Sequence, residues 1–538
     1  MRLGIDLDNT ILEYLPLYHK LGCAHGWLDT SCRLEKAEIK SALAKVAGSA
    51  QQGELRWQRL QAMVYGEKID EATIFPGFAG FVASAHRMGW QLFIVSHKSR
   101  YSHLDPNVDL HYWARTTLTR RGFFRPLAEG GMGFKNEEVF FCPTRDEKIA
   151  AITDLKLDGF IDDLASVLRH DLWPADTRGM LIHGDHPSLL SAADWYTAEA
   201  IYACVAAGLA FPERAQPLTG GGNNRLTGLR IAGQEWVYKA FHDTSPQGQI
   251  RPDAEWRFLS VLEQQRLPAP RPGARTAQGL FMTRVFGQTP EPGNRAKQLV
   301  AFLIELDKLG RELEPSRLLP AAHARLRPGL FVTHLEERIA ALDQACRHQT
   351  APVYQEVLAF LRGNFASQHQ RARHHFEEVC GQRHIDPKVA LARPLHFASP
   401  SDFGPHNCLE QADGSLIFLD FEYAGWDDPA KLLCDILYHV GSGLSEDERH
   451  EIVATFIDYR REDPGLRHRV EACADLVRLE WMAIVLNVVR PAELARKCFA
   501  GADPEKLLRQ RLERAHGLAR ASSLNPIGEG FDIYSTNP

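Results

Sequence analysis

The sequence predicts two successive folds, a parallel α/β sheet with a small helical insertion and then a domain that begins with strands and continues mainly as helices. Short apolar runs alternate with helical stretches over roughly the first 190 residues, which is the rhythm of a parallel sheet. A strand-like segment punctuated by Gly and Pro follows, and beyond it the chain is mainly helical with amphipathic spacing. At 538 residues the chain is also too long for one ordinary core, so two or three domains are expected.

The first domain is predicted over residues 1–190, where short apolar runs mark buried parallel strands. An insertion at about 13–75 has helix-like apolar spacing and the size of a small cap. It follows the first strand, so we expect it to lie over the sheet edge at which ligands of open α/β sheets bind. The predicted strands are Leu3–Ile5, Leu92–Val95, Val139–Phe141, Phe160–Ile161 and Met180–Ile182.

A helical connector is predicted over 191–212, and the second domain over 213–538. Its N-lobe, at about 213–290, has the strand-like and turn-rich character of a small sheet. Its C-lobe, at about 291–538, is helical. Loop and hairpin chemistry interrupts the helical pattern at 402–423.

Composition excludes several classes of protein. A hydrophobic content of 44% and a charged content of 24% are those of a soluble globular chain. The formal charge of −6 argues against a dedicated nucleic-acid binder. Because no uncharged apolar run approaches membrane-spanning length and no signal peptide is recognised, we expect a cytoplasmic protein without membrane contact.

Two carboxylates, Asp6 and Asp8, stand directly after the first predicted strand, with Thr10 close behind. A carboxylate at a sheet edge can attack phosphorus and form an aspartyl-phosphate. A second carboxylate two residues on can protonate the leaving oxygen and later activate water. A phosphoryl group among carboxylates also needs positive charge, which Mg²⁺ and a lysine would supply.

The other parts of such a site follow in order along the chain. Ser96 ends a predicted strand, Lys148 opens the helix before the next strand, and Asp162 and Asp163 end that strand. Lys135 is a weaker candidate for the lysine. These motifs resemble the haloacid dehalogenase (HAD) superfamily of phosphatases, over roughly residues 1–188.

The resemblance implies a Rossmann-like HAD domain and a role for each matched residue. Asp6 would be the nucleophile, Asp8 the acid and base, and Thr10 the hydroxyl that completes the first motif. Ser96 and Lys148 would be the second and third motifs. Asp162 and Asp163 would hold Mg²⁺ together with Asp6 and the backbone carbonyl of Asp8. Of the residues after Ser96, His97 and Lys98 could contact a substrate phosphate, although a loop histidine there is more often incidental.

A second set of residues has the chemistry needed to bind ATP. The glycine turn at 220–222, with Gly221, Gly222 and Asn223, lets backbone N–H groups approach phosphates, and Lys239 on the following strand can neutralise them. Glu255, on the first turn of the next helix, is a partner that would orient Lys239. Met282 lies in a strand leading out of this lobe, where an adenine could contact the backbone.

Asp402 and Asn407 have the Asp-x-x-x-x-Asn spacing of a kinase catalytic loop, and Asp420 follows a short hairpin around Gly414. Phosphoryl transfer requires a base and ligands for the metal. We therefore expect Asp402 to accept the proton of the acceptor hydroxyl, and Asn407 and Asp420 to bind Mg²⁺ on the ATP phosphates. Over roughly residues 213–450 these motifs resemble the aminoglycoside phosphotransferase and choline kinase family, which implies a bilobal, protein-kinase-like fold. One departure is Pro400, which occupies the place of that family's loop histidine.

The leading hypothesis is a bifunctional enzyme that phosphorylates a small hydroxylated metabolite, such as a sugar or sugar phosphate, and dephosphorylates a related one. A second hypothesis makes the kinase-like domain a regulatory or ligand-binding module beside an active phosphatase. A third is nucleic-acid end repair. The third is disfavoured by the negative net charge and by the absence of the G-x-x-x-x-G-K-[ST] loop with which such kinases usually bind ATP.

Overall fold

The computed structural model of the chain describes residues 1–102, 104–219, 224–241, 250–291, 293, 295–494 and 503–520. The chain divides into two compact units, the first being Met1–His242 with Ala274–Phe281 and the second being Asp243–Gly273 with Met282–Pro538. The strands of the first sheet and its cap are β1 Arg2–Ile5, β2 Leu12–Glu13, β3 Thr73–Ile74, β4 Gln91–His97, β5 Val139–Cys142, β6 Gly159–Asp162, β7 Arg178–Ile182 and β8 Leu190–Ala192. The helices around them are α1 Leu15–Ala24, α2 Lys36–Ala47, α3 Ala50–Tyr65, α4 Phe78–Arg87, α5 Leu110–Arg120, α6 Arg145–Asp154, α7 Ala165–Leu168 and α8 Trp195–Ala206.

A six-stranded parallel sheet forms the centre of the first unit, in the order β5-β4-β1-β6-β7-β8. Its strands coincide with the five predicted apolar runs, because both faces of a parallel sheet are covered and its strands read as near-continuous hydrophobic segments. Leu3 and Ile5 of β1, for example, are fully buried. The sheet extends further than predicted, since β8 falls at the start of the expected connector. A strand of three residues gives no periodic signal of its own.

The predicted cap is built from α1, α2 and α3. It leaves and rejoins the sheet domain through a two-stranded antiparallel ribbon in which Leu12 pairs with Ile74 and Glu13 with Thr73. Helix α3 begins at an ordinary N-cap, because the Ser49 side chain accepts a hydrogen bond from the backbone N–H of Gln52. The ribbon therefore marks both ends of the insertion.

A second sheet of five strands has the order β12-β13-β11-β10-β9. Its strands are β9 Arg214–Leu218, β10 Arg225–Ile231, β11 Gln234–Ala240, β12 Pro272–Arg275 and β13 Gly279–Thr283. Buried residues of this sheet, including Leu229, Tyr238 and Phe281, belong to the same hydrophobic cluster as Leu3 and Trp195 of the first domain. The compact unit thus continues past the predicted boundary at 191–212, because α8 and the strands that follow share one core.

The second unit is mainly helical. Helix α16 packs against α11, α13 and α14, and α10 packs against α15. The helices are α9 Ile250–Gln264, α10 Ala296–Glu312, α11 Leu330–Arg347, α12 Pro352–Phe360, α13 Ala366–Gln382, α14 Pro429–Tyr438, α15 Glu446–Tyr459, α16 Gly465–Val485 and α17 Pro504–Arg520. Two short antiparallel pairs interrupt them, β14 Phe397–Ser399 with β17 Gly425–Asp427 and β15 Cys408–Glu410 with β16 Leu416–Phe418. Within the described parts of the chain, no helix is both long and apolar enough to cross a bilayer.

Candidate functional site

The predicted residues of the first site meet at one edge of the parallel sheet. Asp6 follows β1 directly, Ser96 lies near the end of β4, and Asp162 is the last residue of β6. Lys148 lies in the first turn of α6, which begins after β5. Because the carboxyl ends of parallel strands share an edge, residues more than 150 positions apart become neighbours.

Lys148 bridges two of the carboxylates. Its Nζ lies 2.6 Å from Oδ1 of Asp6 and 2.6 Å from Oδ2 of Asp162. The Lys148 side chain is only 2% exposed, and both carboxylates are buried. Burial disfavours the ammonium form, but the attraction of Asp6 and Asp162 outweighs it and raises the pKa of Lys148 above its ordinary value. The other lysine candidate, Lys135, instead precedes a short 3₁₀ helix, where its backbone N–H donates to Glu138.

Negative charge exceeds positive charge at this edge. Carboxylate oxygens of Asp6, Asp162 and Asp163 all lie within 4.8 Å of one another. Burial and the neighbouring carboxylates raise the pKa of Asp6 to about 7, although Lys148 acts in the opposite direction. Burial, Asp6 and Asp162 likewise raise the pKa of Asp163 to about 8. Crowded carboxylate oxygens are the ligands that Mg²⁺ prefers, so this donor set fits the predicted metal. The part assigned to the Asp8 backbone carbonyl stays a prediction.

Two hydroxyl groups complete this edge in different ways. Thr10 is fully buried, and its Oγ1 accepts the backbone N–H of Asp163 at 3.1 Å. It therefore fixes the loop that carries the acidic pair. Ser96 is also fully buried, but within the described part of the chain its Oγ has no hydrogen-bond partner. A buried hydroxyl without a partner is costly, and a phosphoryl oxygen would satisfy it.

Asp8 has two partners that the sequence analysis did not assign to it. Lys98 Nζ lies 2.7 Å from Oδ2 of Asp8, and the Tyr14 hydroxyl donates to Oδ1 at 2.7 Å. Lys98 is 4% exposed and also lies 4.6 Å from the centre of the Tyr65 ring. The position of Lys98 two residues after Ser96 is a signal that could have identified it. Tyr14 directly precedes α1 and Tyr65 is the last residue of α3, and neither position carries such a signal.

The predicted kinase loop lies in the second unit. Asp402 follows β14, and its backbone carbonyl accepts a hydrogen bond from the side-chain amide of Asn407 at 2.9 Å. The predicted hairpin around Gly414 is formed by β15 and β16, with Cys408 opposite Phe418. One residue beyond that pair, the Leu419 N–H donates to the Asn407 carbonyl at 2.8 Å. The hairpin thus holds Asn407 beside the segment that presents Asp420.

Several non-glycine residues of this unit adopt left-handed backbone conformations, and two of them lie at the predicted kinase site. Ser401, directly before Asp402, has φ of 67°, and Asp420 has φ of 63°. Left-handed geometry is uncommon for residues with a Cβ atom and is concentrated at functional sites. Both positions adjoin or carry a predicted site carboxylate.

Asp420 belongs to a second acidic group. Carboxylate oxygens of Glu255, Asp420 and Glu422 lie within 4.8 Å of one another, and Glu255 and Glu422 are 1% and 2% exposed. Oxygen donors of this kind fit Mg²⁺. Glu422 was not among the predicted ligands, although its position two residues after Asp420 is visible in the sequence. The assignment of Glu255 as a partner of Lys239 stays a prediction.

Two histidines contact the same carboxylate oxygen of Asp402. Nε2 of His406 lies 2.9 Å and Nε2 of His439 lies 3.2 Å from Oδ1. Burial by itself would raise the pKa of Asp402, but the hydrogen bonds that its carboxylate accepts from the two histidines outweigh burial and hold that pKa well below its ordinary value. His439 comes from the end of α14, far along the chain, so no spacing rule could identify it.

The remaining predicted ATP-binding residues are less fully described. Lys239 lies on β11 and is 5% exposed, and Met282 lies on β13 and is 8% exposed. The glycine turn, with Gly221, Gly222 and Asn223, lies outside the described residues. The roles of all these residues stay predictions.

No protein-family model matches the chain, and no curated protein matches it either. Solved structures do. An ethanolamine kinase from Plasmodium vivax is 12% identical with a TM-score of 0.39, the match covering 56% of this chain and 82% of that one. A spectinomycin phosphotransferase in complex with ADP and spectinomycin is 13% identical with a TM-score of 0.41, covering 60% and 98%. A choline kinase from Streptococcus pneumoniae is 17% identical with a TM-score of 0.36, covering 57% and 92%.

Proposed function

We propose that the chain is a bifunctional enzyme, with a HAD-type phosphomonoesterase at the parallel sheet and an ATP-dependent small-molecule kinase around Asp402. The observation that supports the first activity best is Lys148 bridging Asp6 and Asp162 beside a third carboxylate. A carboxylate nucleophile needs this arrangement, because the phosphoryl oxygens must be received by positive charge.

In the first reaction the Asp6 oxygen that Lys148 does not hold attacks phosphorus, and the bond from phosphorus to the ester oxygen breaks. Asp8 gives a proton to that oxygen as the alcohol leaves. Asp8 then takes a proton from the water that hydrolyses the aspartyl-phosphate, so that phosphate departs and Asp6 is regenerated. Mg²⁺ held by Asp6, Asp162 and Asp163 would supply further charge neutralisation. The unpaired hydroxyl of Ser96 is available to a phosphoryl oxygen.

The second activity is supported by the hairpin that joins Asn407 to the Asp420 segment beside Asp402. The oxygen of the acceptor hydroxyl forms a bond to the γ-phosphorus of ATP while Asp402 accepts the proton of that hydroxyl. The bond from the γ-phosphorus to the bridging oxygen breaks, and ADP leaves. Asn407, Asp420 and Glu422 would hold Mg²⁺ on the nucleotide phosphates. The fold neighbours include enzymes named for ethanolamine, choline and spectinomycin. We propose that the acceptor in this chain is a small hydroxylated metabolite, a class to which a sugar or sugar phosphate belongs.

Two single-site variants test the two activities separately in the full chain. With p-nitrophenyl phosphate and Mg²⁺, Asp6→Asn should abolish hydrolysis, whereas Asp402→Ala should not change it. With ATP and Mg²⁺, ethanolamine, choline, spectinomycin, hexoses and hexose monophosphates are offered as acceptors, and ADP and the phosphorylated product are measured. Asp402→Ala should abolish this transfer and Asp6→Asn should leave it intact.

The outcomes discriminate between the hypotheses. Hydrolysis that survives Asp6→Asn would remove Asp6 as the nucleophile. Identical ADP traces from the wild type and Asp402→Ala would favour a regulatory or ligand-binding domain beside the phosphatase. A product phosphorylated at one position and dephosphorylated at another would explain why the two activities are joined without a futile cycle.

A further inference from the structure

The two histidines at Asp402 converge on a single oxygen. Both Nε2 atoms contact Oδ1, at 2.9 Å from His406 and 3.2 Å from His439. The rings stack on each other, with centroids 4.5 Å apart and planes inclined by 19°. Asp402 is 36% exposed, whereas the His439 side chain is 11% exposed. The histidines therefore contact Asp402 from the protein side.

The proton on His439 can be located from its other nitrogen. Nδ1 of His439 accepts the backbone N–H of Gly441 at 3.0 Å. A ring nitrogen that accepts a hydrogen bond carries no proton, so in this imidazole the proton is on Nε2. His439 therefore donates its Nε2–H to Asp402.

His439 is held firmly enough to position another group. It ends α14, and its backbone carbonyl accepts a hydrogen bond from Arg449 at 3.0 Å. Arg449 also donates to the carbonyls of Ile436 and Leu437, at 2.6 and 2.9 Å. The His439 ring packs against Trp481 in an edge-to-face arrangement, with the ring centroids 4.2 Å apart. A donor fixed on several sides loses little further entropy when its acceptor is aligned.

The same three residues could be taken for a metal site, since their ligand atoms lie within 4.8 Å of one another. A metal at that point would need the lone pair of Nε2 on His439. That nitrogen carries the proton while Gly441 donates to Nδ1, so metal binding would require breaking the backbone contact. The hydrogen-bond pattern favours donation to Asp402 over metal coordination.

We propose that His439, together with His406, is a positioning residue for Asp402, which fixes Oδ1 and leaves Oδ2 to accept the proton of the acceptor hydroxyl. This inference rests on the proposed kinase function. It also assigns a replacement for the loop histidine whose position is occupied by Pro400. In this chain Asp402 is held in position by His439, at the end of α14, and by His406, four residues after Asp402.

Substitutions at 439 distinguish a hydrogen-bond donor from a packing residue. His439→Leu should lower kcat for ADP formation by about 10- to 100-fold, since small misplacements of a reacting group have effects of this size. The KM for ATP should stay within about twofold, because the groups assigned to the nucleotide are untouched. His439→Gln keeps an N–H at the corresponding reach and should recover most of kcat. His374→Leu, at an exposed histidine on α13, is the matched control and should behave as wild type.

A wild-type kcat in His439→Leu would overturn the proposal. So would His439→Gln as impaired as His439→Leu at unchanged thermal stability, because the donated N–H would then not be what matters. Zn²⁺ titrated alone should bind no more tightly to wild type than to His439→Gln. Tighter binding that is lost in the variant would show a metal site instead.

Nitrogen-15 NMR of histidine-labelled full-length protein tests the inference without relying on kinase turnover. The resonances of His439 are identified by their loss in His439→Gln, and they should report a neutral ring protonated at Nε2. A ring protonated at Nδ1 would overturn the proposal. If none of the acceptors yields ADP with wild type, the proposed kinase activity fails, and this spectrum still decides whether His439 donates to Asp402.

Discussion

The ammonium group of Lys98 lies 2.7 Å from Oδ2 of Asp8, in an ion pair whose lysine side chain is 3% exposed. Tyr14 donates to the other oxygen of the same carboxylate. Both oxygens of the proposed acid and base are thus fixed by neighbouring side chains. A carboxylate that must approach a leaving oxygen within hydrogen-bond distance depends on such fixing.

Removing this cation should impair the phosphatase reaction. Lys98→Met is expected to lower kcat/KM for p-nitrophenyl phosphate by about 10- to 100-fold, because Asp8 loses the partner that positions it. Steady-state hydrolysis with Mg²⁺ measures the effect. The control is Lys20→Met, at a lysine that is 68% exposed in its pair with Glu71. Equal rates for Lys98→Met and Lys20→Met would show that the buried pair has no part in the reaction.

Cutting the chain at the predicted domain boundary should not release a stable first domain. A fragment of residues 1–212 would lack Leu229, Tyr238 and Phe281, which share the hydrophobic cluster of Leu3 and Trp195. Each fully buried large side chain removed from a core costs roughly 2–5 kcal/mol, a sizeable part of ordinary domain stability. We expect the fragment to aggregate or to melt well below the full chain, as followed by circular dichroism. A fragment that melts at the temperature of the full chain would contradict the shared core.

Glu480 should be important to the stability of the second unit. Its carboxylate accepts two hydrogen bonds from Arg325, at 2.8 and 2.9 Å, and the Arg325 side chain is fully buried. Glu480→Gln leaves that guanidinium without its counter-charge and should lower the free energy of unfolding by about 3–5 kcal/mol in urea titrations. Glu336→Gln breaks an exposed pair with Arg373 and should cost less than about 1 kcal/mol. Similar losses in both variants would refute the importance of burial.

Asp427 gives the second unit a stability that falls as pH rises. Burial raises its pKa from 3.8 to about 6, although Lys431 and the backbone N–H of Arg325 act in the opposite direction. The folded protein therefore retains a proton that the unfolded chain has already lost, so stability declines between about pH 4 and pH 6 and then levels off. Asp427→Asn removes this ionisation and should be more stable than wild type at pH 7.5 by roughly 1–3 kcal/mol.

Urea titrations of both proteins between pH 4 and 7.5 measure this difference directly. Asp458→Asn makes the same change of charge at an exposed position of α15 and should leave the wild-type pH dependence in place. A constant difference in unfolding free energy between wild type and Asp427→Asn across this range would contradict the assigned pKa.

The sequence predicted which residues come together wherever that depends on their position along a strand, loop or hairpin. Buried strands read as apolar runs, and Asp6, Lys148 and Asp162 each adjoin such a run, so their meeting at one edge follows from the parallel sheet alone. The spacing of Asp402 and Asn407 likewise predicted that they share a loop. Gly414 predicted the position of the hairpin that follows this loop.

Contacts between distant segments could not be anticipated in this way. His439 approaches Asp402 from the end of α14, and Arg325 contacts Glu480, which lies 155 positions further along the chain. Neither pair has a periodic or spacing signal, because each depends on how whole helices pack. The continuation of the first unit beyond 212 has the same origin. Hydrophobic alternation identifies the strands of a sheet but not the neighbour against which that sheet packs.

The left-handed backbone at Ser401 and Asp420 sets the stability of the second unit against the accurate placement of two carboxylates. A residue with a Cβ atom in this conformation costs about 1–2 kcal/mol that glycine would avoid. Glycine at either position would relieve that cost, but it would also widen the conformations open to the segments presenting Asp402 and Asp420. Selection for a more stable fold therefore favours glycine at these two positions, whereas selection for precisely positioned carboxylates disfavours it.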